Sequence, residues 1–232
     1  MDDMAMGRGT MTMAWMPMCG QSWFGAAVSF LGMWTLMMAA MMLPSLAPML
    51  WRYRRTIGRS GGTRLTLLLT LVGGAYFLVW TLLGVVVFPL GAAVNAATLW
   101  HPVLARAFPA AIASIVLASG ALQFSKWKAR HLACCRDGGC YEASARSHAF
   151  HGNALTAWLH GLRLGLHCAQ CCAGLTAVLL VTGIMDLPAM SAVTLAVTLE
   201  RLAPAGERIA RAIGVIVIGA GLWLLLRAGG SG

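Results

Sequence analysis

His167, Cys168, Cys171 and Cys172 stand together as HCAQCC inside a stretch that otherwise reads as a membrane helix. Ionisable side chains are expensive away from water, so such a cluster within an apolar span marks a candidate functional site. On a helix, Cys168 lies three and four residues before Cys171 and Cys172, which puts the three thiols on one face. His167 reaches the edge of that face through its four-residue step to Cys171. Thiolate with imidazole is the ligand set of copper(I) or zinc, not of magnesium or calcium.

A second thiol cluster precedes the first: Cys134, Cys135 and Cys140 in CCRDGGC. On the same side of the membrane, the two clusters could converge on one ion or pass it from one to the other. His160, seven residues before His167, faces the same way and is a candidate further ligand. His131, His148 and His151 flank CCRDGGC and read as solvated single residues. The methionines are the other anomaly, with 13 of the 15 among the first 49 residues. Met4/Met6, Met11/Met13 and Met16/Met18 form Met-x-Met pairs in a polar, glycine-containing tail that has no core to fill. Farther on, Met33, Met37 and Met41 step by four beside the parallel pair Met38/Met42, aligning thioethers along one helix face. Gap-filling in an apolar core is the plain reading of that stripe. The tail raises copper above zinc, because neutral thioethers favour copper(I).

The elements that must position these residues are helices. Apolar residues make up 59% of the chain and charged residues 10%, well below the roughly one quarter of soluble domains. An all-α, polytopic membrane helical bundle is expected, with about six spans at Trp23–Leu43, Leu65–Pro89, Ala107–Gln123, Leu162–Met185, Leu187–Leu202 and Ile209–Arg227. The fifth is short for a span of about 20 residues, which leaves five spans plus a re-entrant segment as an alternative. Residues 1–22 read as a Met-rich outer tail rather than a signal peptide, lacking a cationic start before an apolar core. Residues 23–229 read as one transmembrane domain with a Cys/His-containing cytoplasmic loop at about 126–159. Of the 17 basic residues, 14 fall in the first, third and fifth loops, Lys128 and Arg201 among them. By the positive-inside rule that side is cytoplasmic, so both termini face the periplasm of a bacterial inner membrane. The net charge of +10 is then a topology signal and not a sign of nucleic-acid binding. With the fourth span starting near Leu162, Cys168 is expected about 9 Å in, toward the cytoplasmic end. Gly161 and Gly165 give a GxxxG step that lets a neighbouring helix approach and supply further ligands.

Other chemistries leave weaker marks. Cys168 and Cys171 also form a Cys-x-x-Cys, the dithiol of redox proteins. The charge bias puts it near the reducing side, which favours metal. Asp186 reads as a solvated helix stop, and Glu200 as the partner of a loop arginine. No Walker loop, nucleophile elbow or dinucleotide fingerprint is present, so an enzyme is not the favoured reading.

MWTLMMAAMMLPSLAPML at 33–50, QFSKWKARHLACC at 123–135, HGLRLGLHCAQCCAGL at 160–175, GIMDL at 183–187 and the Glu200–Arg201 pair together carry a resemblance. The chain resembles a bacterial family of predicted metal-binding integral membrane proteins of unknown function. The resemblance runs from the first span to the last and implies the polytopic fold and a metal role for the cysteines. The family more often places Cys where His131 stands and His where Cys134 stands, a swap that keeps the number of ligand-type residues.

The function expected from these residues is capture and relay of copper(I). Tail thioethers take the ion outside, Met37, Met38, Met41 and Met42 offer intermediate sites, and His167, Cys168, Cys171 and Cys172 hold it more tightly. Cys134, Cys135 and Cys140 then receive or share it. Zinc is the runner-up ion, and a metallochaperone or a larger membrane complex is the expected partner beside the lipid bilayer. The rival readings are an accessory or assembly subunit of such a complex and a membrane thiol oxidoreductase using Cys168 and Cys171.

Overall fold

The computed structural model describes residues 22–57, 62–137, 153–184, 186–203 and 205–229. Within them the chain is all-helical: α1 Trp23–Ile57, α2 Gly62–Trp100, α3 Pro102–Leu122, α4 Lys126–Asp137, α5 Ala154–Thr182, α6 Leu187–Leu202 and α7 Gly206–Gly229. The Met-x-Met tail, Cys140, His148, His151 and Met185 lie outside the described residues, as do the side chains of Cys134 and Cys135.

Four of these helices are long and apolar enough to cross a membrane: α1, α2, α5 and α7. A fifth crossing is possible if α3 and α4 are one span, bent by 61°. The bend has a local cause. Gln123, Phe124 and Ser125 donate their backbone N–H groups to Gly120, Ala121 and Leu122, tightening the end of α3. Ser125 then accepts a hydrogen bond from the Trp127 N–H at 3.1 Å, capping the start of α4. At 16 residues α6 is about 24 Å long, short of a bilayer core of about 30 Å. By length and composition the described helices thus give four spans, or five with the bent pair, and one short helix.

Three helix boundaries differ most from the sequence reading. α1 continues past Leu43, through Pro44 and Pro48, to Ile57. α2 continues through Pro89 to Trp100, because an apolar helix tolerates the single hydrogen bond that proline removes. α5 begins at Ala154, eight residues before the apolar run does, since Leu155, Trp158 and Leu159 already continue its periodicity. Cys168 is consequently at the middle of α5 rather than near one end.

The core gathers around that midpoint. Phe30, Trp34, Met38, Met42 and Leu46 of α1 recur at helical spacing and are buried against Tyr76 and Trp80 of α2, Cys168 and Cys172 of α5, and Val193 and Val197 of α6. The opposite face of α1, with Phe24, Val28, Leu36 and Leu43, is exposed, as suits contact with lipid. The two glycines of the GxxxG step set the spacing of α5 and α2. A Cβ on Gly161 would collide with the Val72 carbonyl oxygen, and one on Gly165 would lie 3.0 Å from the Tyr76 carbonyl oxygen. Replacing Gly161 with alanine should therefore force α2 and α5 apart, at about 1–3 kcal/mol for overpacking. The expected result is a melting temperature several degrees lower for the detergent-purified protein; an unchanged melting curve would refute the close approach. Gly183, at φ 128°, adopts a backbone conformation that only glycine enters readily, and turns the chain from α5 into α6.

Candidate metal centre

Helical spacing puts Cys168 and Cys172 on one face of α5, one turn apart. Both thiols are buried, at 1% and 2% exposure. The close approach at Gly165 brings α2 in, and Tyr76 Oη lies 2.8 Å from Cys168 Sγ. From α1, Met42 Sδ lies 3.8 Å from the same sulfur. From the last turn of α6, Arg201 Nη2 donates to Cys168 Sγ at 3.0 Å and to Cys172 Sγ at 3.3 Å. Two thiol sulfurs, a thioether, a phenol and a guanidinium thus meet in a buried pocket where four helices converge.

Arg201 is 8% exposed, so its charge is held inside the protein. The neighbouring Glu200 forms an ion pair with Lys128 Nζ at 2.8 Å, and Lys128 also donates to the Gln123 side-chain oxygen. This replaces the expected partnership of Glu200 with a loop arginine. Lys128 and Arg201, counted as loop cations by the topology argument, are in fact buried. Two cations and one carboxylate leave this interior with one positive charge, beside a pair of thiols able to supply negative charge.

The rest of the HCAQCC run is divided. Cys171 is buried with Leu132 and Ala210 and lies within hydrogen-bonding reach of Cys172. His167 turns to α4, where its Nδ1 lies 3.2 Å from His131 Nδ1. His131 is therefore not the solvated residue expected from its place in a polar segment. Among the described residues, no three His, Cys, Asp or Glu side chains are gathered for one ion. Of the four residues expected to form one centre, Cys168 and Cys172 meet the Met42 thioether, and His167 meets His131. His160 is half-buried and two turns before His167, about 10 Å along the axis. Met37, Met38 and Met41 are buried in the same core cluster as Cys168 and Cys172 rather than facing lipid.

A family model described as a copper chaperone, PpoB2, matches residues 31–224. The chain belongs to this copper chaperone family. The match runs from α1 into α7 and includes Met42, Tyr76, Cys168, Cys172 and Arg201; the Met-x-Met tail lies outside it. No curated protein and no solved structure matches the chain.

Within that copper chaperone family assignment, the residues that sequence reasoning missed are Tyr76, Lys128, Arg201 and, as a contact of His167, His131. A tyrosine and an arginine inside otherwise apolar helices are visible signals, since each polar group must find a partner. Which partner they find follows only from how the helices pack.

Proposed function

We propose that this protein is an integral membrane copper(I) chaperone in which Cys168 and Cys172, as thiolates, hold the ion, Met42 supplies a third sulfur, and Arg201 balances the charge. The observation that carries this reading is the placement of Arg201 Nη2 within 3.3 Å of both sulfurs. Copper(I) with two thiolates is a monoanion. A lone anion of that kind is costly in an apolar interior and needs a fixed positive partner. Arg201 is that partner, and with the Lys128–Glu200 pair neutral in sum the loaded site carries no net charge. The same ligands around zinc would leave one positive charge buried, so charge as well as ligand softness favours the monovalent ion.

Copper is the cargo here, so the site must also release it. Two thiolates one helical turn apart leave coordination positions open, and an incoming thiolate can take the ion by ligand exchange. Met38 and Met41 lie on the face of α1 that carries Met42 and offer weaker thioether sites leading to it. The Met-x-Met pairs of the tail would collect the ion outside, and Cys134, Cys135 and Cys140 would accept it beyond the site. The reading goes with a bacterial inner membrane as the protein's location and a copper-accepting protein as its partner.

Elemental analysis of the purified protein tests the reading. About one copper per chain at this site should be lost in Cys168→Ser/Cys172→Ser and kept in Cys171→Ser. Unchanged copper in the Cys168/Cys172 variant would sink the site. Loss in Cys171→Ser alone would move the ligands to the adjoining cluster.

A further inference from the structure

The phenol of Tyr76 is the one polar group of the sulfur pocket to which holding copper assigns no part. Its ring is buried, edge-on to Phe77 with centroids 5.2 Å apart, and its hydroxyl lies 2.8 Å from Cys168 Sγ. A buried phenol needs a partner for its hydroxyl, and Cys168 is within reach because the α2 backbone runs so close to Gly165. The two sulfurs of the site are therefore unlike. Cys168 meets the Tyr76 hydroxyl and the shorter Arg201 contact, at 3.0 Å. Cys172 meets the longer Arg201 contact, at 3.3 Å, and the Cys171 thiol. A phenol O–H is a firm hydrogen-bond donor and a thiol S–H a weak one. A copper-bound thiolate has no proton to give, so in the loaded site Tyr76 donates to Cys168.

We infer that Tyr76 is a positioning residue for release, making Cys168 the first sulfur to leave copper(I) when an incoming thiolate takes the ion. This rests on the proposed copper site and concerns only its exit step. A thiolate bound to copper shares its negative charge with the ion, and one that is leaving regains that charge. A donor fixed beside the sulfur therefore gains strength as the bond breaks, and an interaction stronger in the transition state than before it raises the rate. In the exchange, the acceptor's thiolate forms a copper–sulfur bond, the copper–Cys168 bond breaks, and Cys168 keeps the electron pair. Copper stays monovalent throughout, and nothing is oxidised or reduced. The freed Cys168 thiolate lies between the Tyr76 hydroxyl and the Arg201 guanidinium. Cys172 has less to stabilise it as a free anion and holds the ion until the second exchange.

The test uses the full chain in detergent, loaded with copper(I) without oxygen. Excess glutathione serves as the thiolate acceptor, and a chromophoric copper(I) chelator traps the ion it removes. Tyr76→Phe deletes one oxygen atom and leaves the ring in place. It should keep the parent's copper content yet release the ion about tenfold more slowly, as expected when a donor to a developing charge is lost. Its near-ultraviolet sulfur-to-copper band should move to lower energy, because hydrogen bonds to a ligating sulfur hold its electrons more firmly; a change in packing alone would not shift it. Cys171→Ala, which removes the weak donor beside Cys172, should release copper at the parent's rate. Equal release from Tyr76→Phe and the parent, or loss of copper from Tyr76→Phe, would overturn the role of the phenol and leave the copper site standing. Slowing of Cys171→Ala to the rate of Tyr76→Phe would overturn the order. A parent that holds no copper would instead remove the site, and the role of Tyr76 with it.

Discussion

Replacing Arg201 with leucine is expected to lower copper(I) affinity by about 100-fold while leaving all sulfur ligands in place. The reasoning turns on what each state of the site asks of its surroundings. With copper bound, two thiolates and one monovalent ion make an anion in a pocket whose thiols are 1–2% exposed. Arg201 meets it with two charge-assisted hydrogen bonds, at 3.0 and 3.3 Å. Such bonds contribute about 1.5–3 kcal/mol each, and about 1.4 kcal/mol is tenfold in affinity. Without copper, the variant has an easy alternative: the thiols take up protons and the pocket becomes neutral. An apolar side chain in place of a buried charge is often neutral or stabilising for the fold. The variant should therefore melt no lower than the parent and still fail to hold copper, a combination that misfolding cannot produce. Arg201→Lys keeps the charge but not the reach and planar donor geometry with which Nη2 meets both sulfurs, so it should restore only part of the affinity. Competition against a chromophoric copper(I) chelator reads all three proteins. Equal affinity in Arg201→Leu would mean that the guanidinium contact belongs to packing.

The same variant bears on the choice between ions. Zinc at the dithiol site is disfavoured by the surplus positive charge, and removing Arg201 takes that charge away. The copper-to-zinc affinity ratio should fall further than the copper affinity alone. Silver(I), monovalent and soft, should follow copper through the series.

The ligands of this site are legible in the sequence in a way its surroundings are not. HCAQCC and the methionine steps are recognisable because soft, ionisable or unusual side chains recur at helical spacing in an apolar stretch, and spacing along one helix is a local property. Cys168, Cys172 and Met42 were candidates for that reason, and the structure brings their sulfurs together. Spacing also placed His167 and Cys171 on the edge of the same face, but a face spans a wide arc. Which neighbour fills which part of it depends on helices from elsewhere in the chain. The 61° bend after α3 is the clearest case, since it carries His131 to His167 and Lys128 to Glu200. Nothing in the periodicity of residues 107–137 announces it except a Gln-Phe-Ser interruption. Arg201 and Lys128 illustrate a second limit. A basic residue next to an apolar run is counted as a loop residue by any topology rule, and only the packing reveals that these two are inside.

Cutting the Lys128–Glu200 pair should be the most damaging single change to the fold. The two groups are 2.8 Å apart and their side chains are 6% and 3% exposed, so neither can turn to water when its partner is lost. Lys128→Met leaves the Glu200 carboxylate buried without its ion partner, a loss of about 3–5 kcal/mol for pairs of this kind. Glu200→Gln leaves the ammonium in the same position, relieved only by Gln123, whose side-chain oxygen already accepts from it. The double variant Lys128→Met/Glu200→Gln removes both charges and should recover most of the stability, giving a coupling energy of several kcal/mol in a double-mutant cycle. Thermal unfolding of the four proteins in one detergent measures it, and additive losses would contradict a direct buried pair. The consequence for copper follows from where the pair sits. Lys128 is on α4 just past the bend, and Glu200 precedes Arg201 on α6, so the pair ties the bent helix to the end of the short one. Releasing it frees the last turn of α6 to swing, and the guanidinium loses its fixed aim at two sulfurs although Arg201 itself is untouched. Copper(I) should therefore weaken in Lys128→Met, and the double variant should regain stability more fully than it regains copper. Restored folding does not restore the tether, and that difference separates a residue that holds the bundle together from one that also points Arg201 at its cargo.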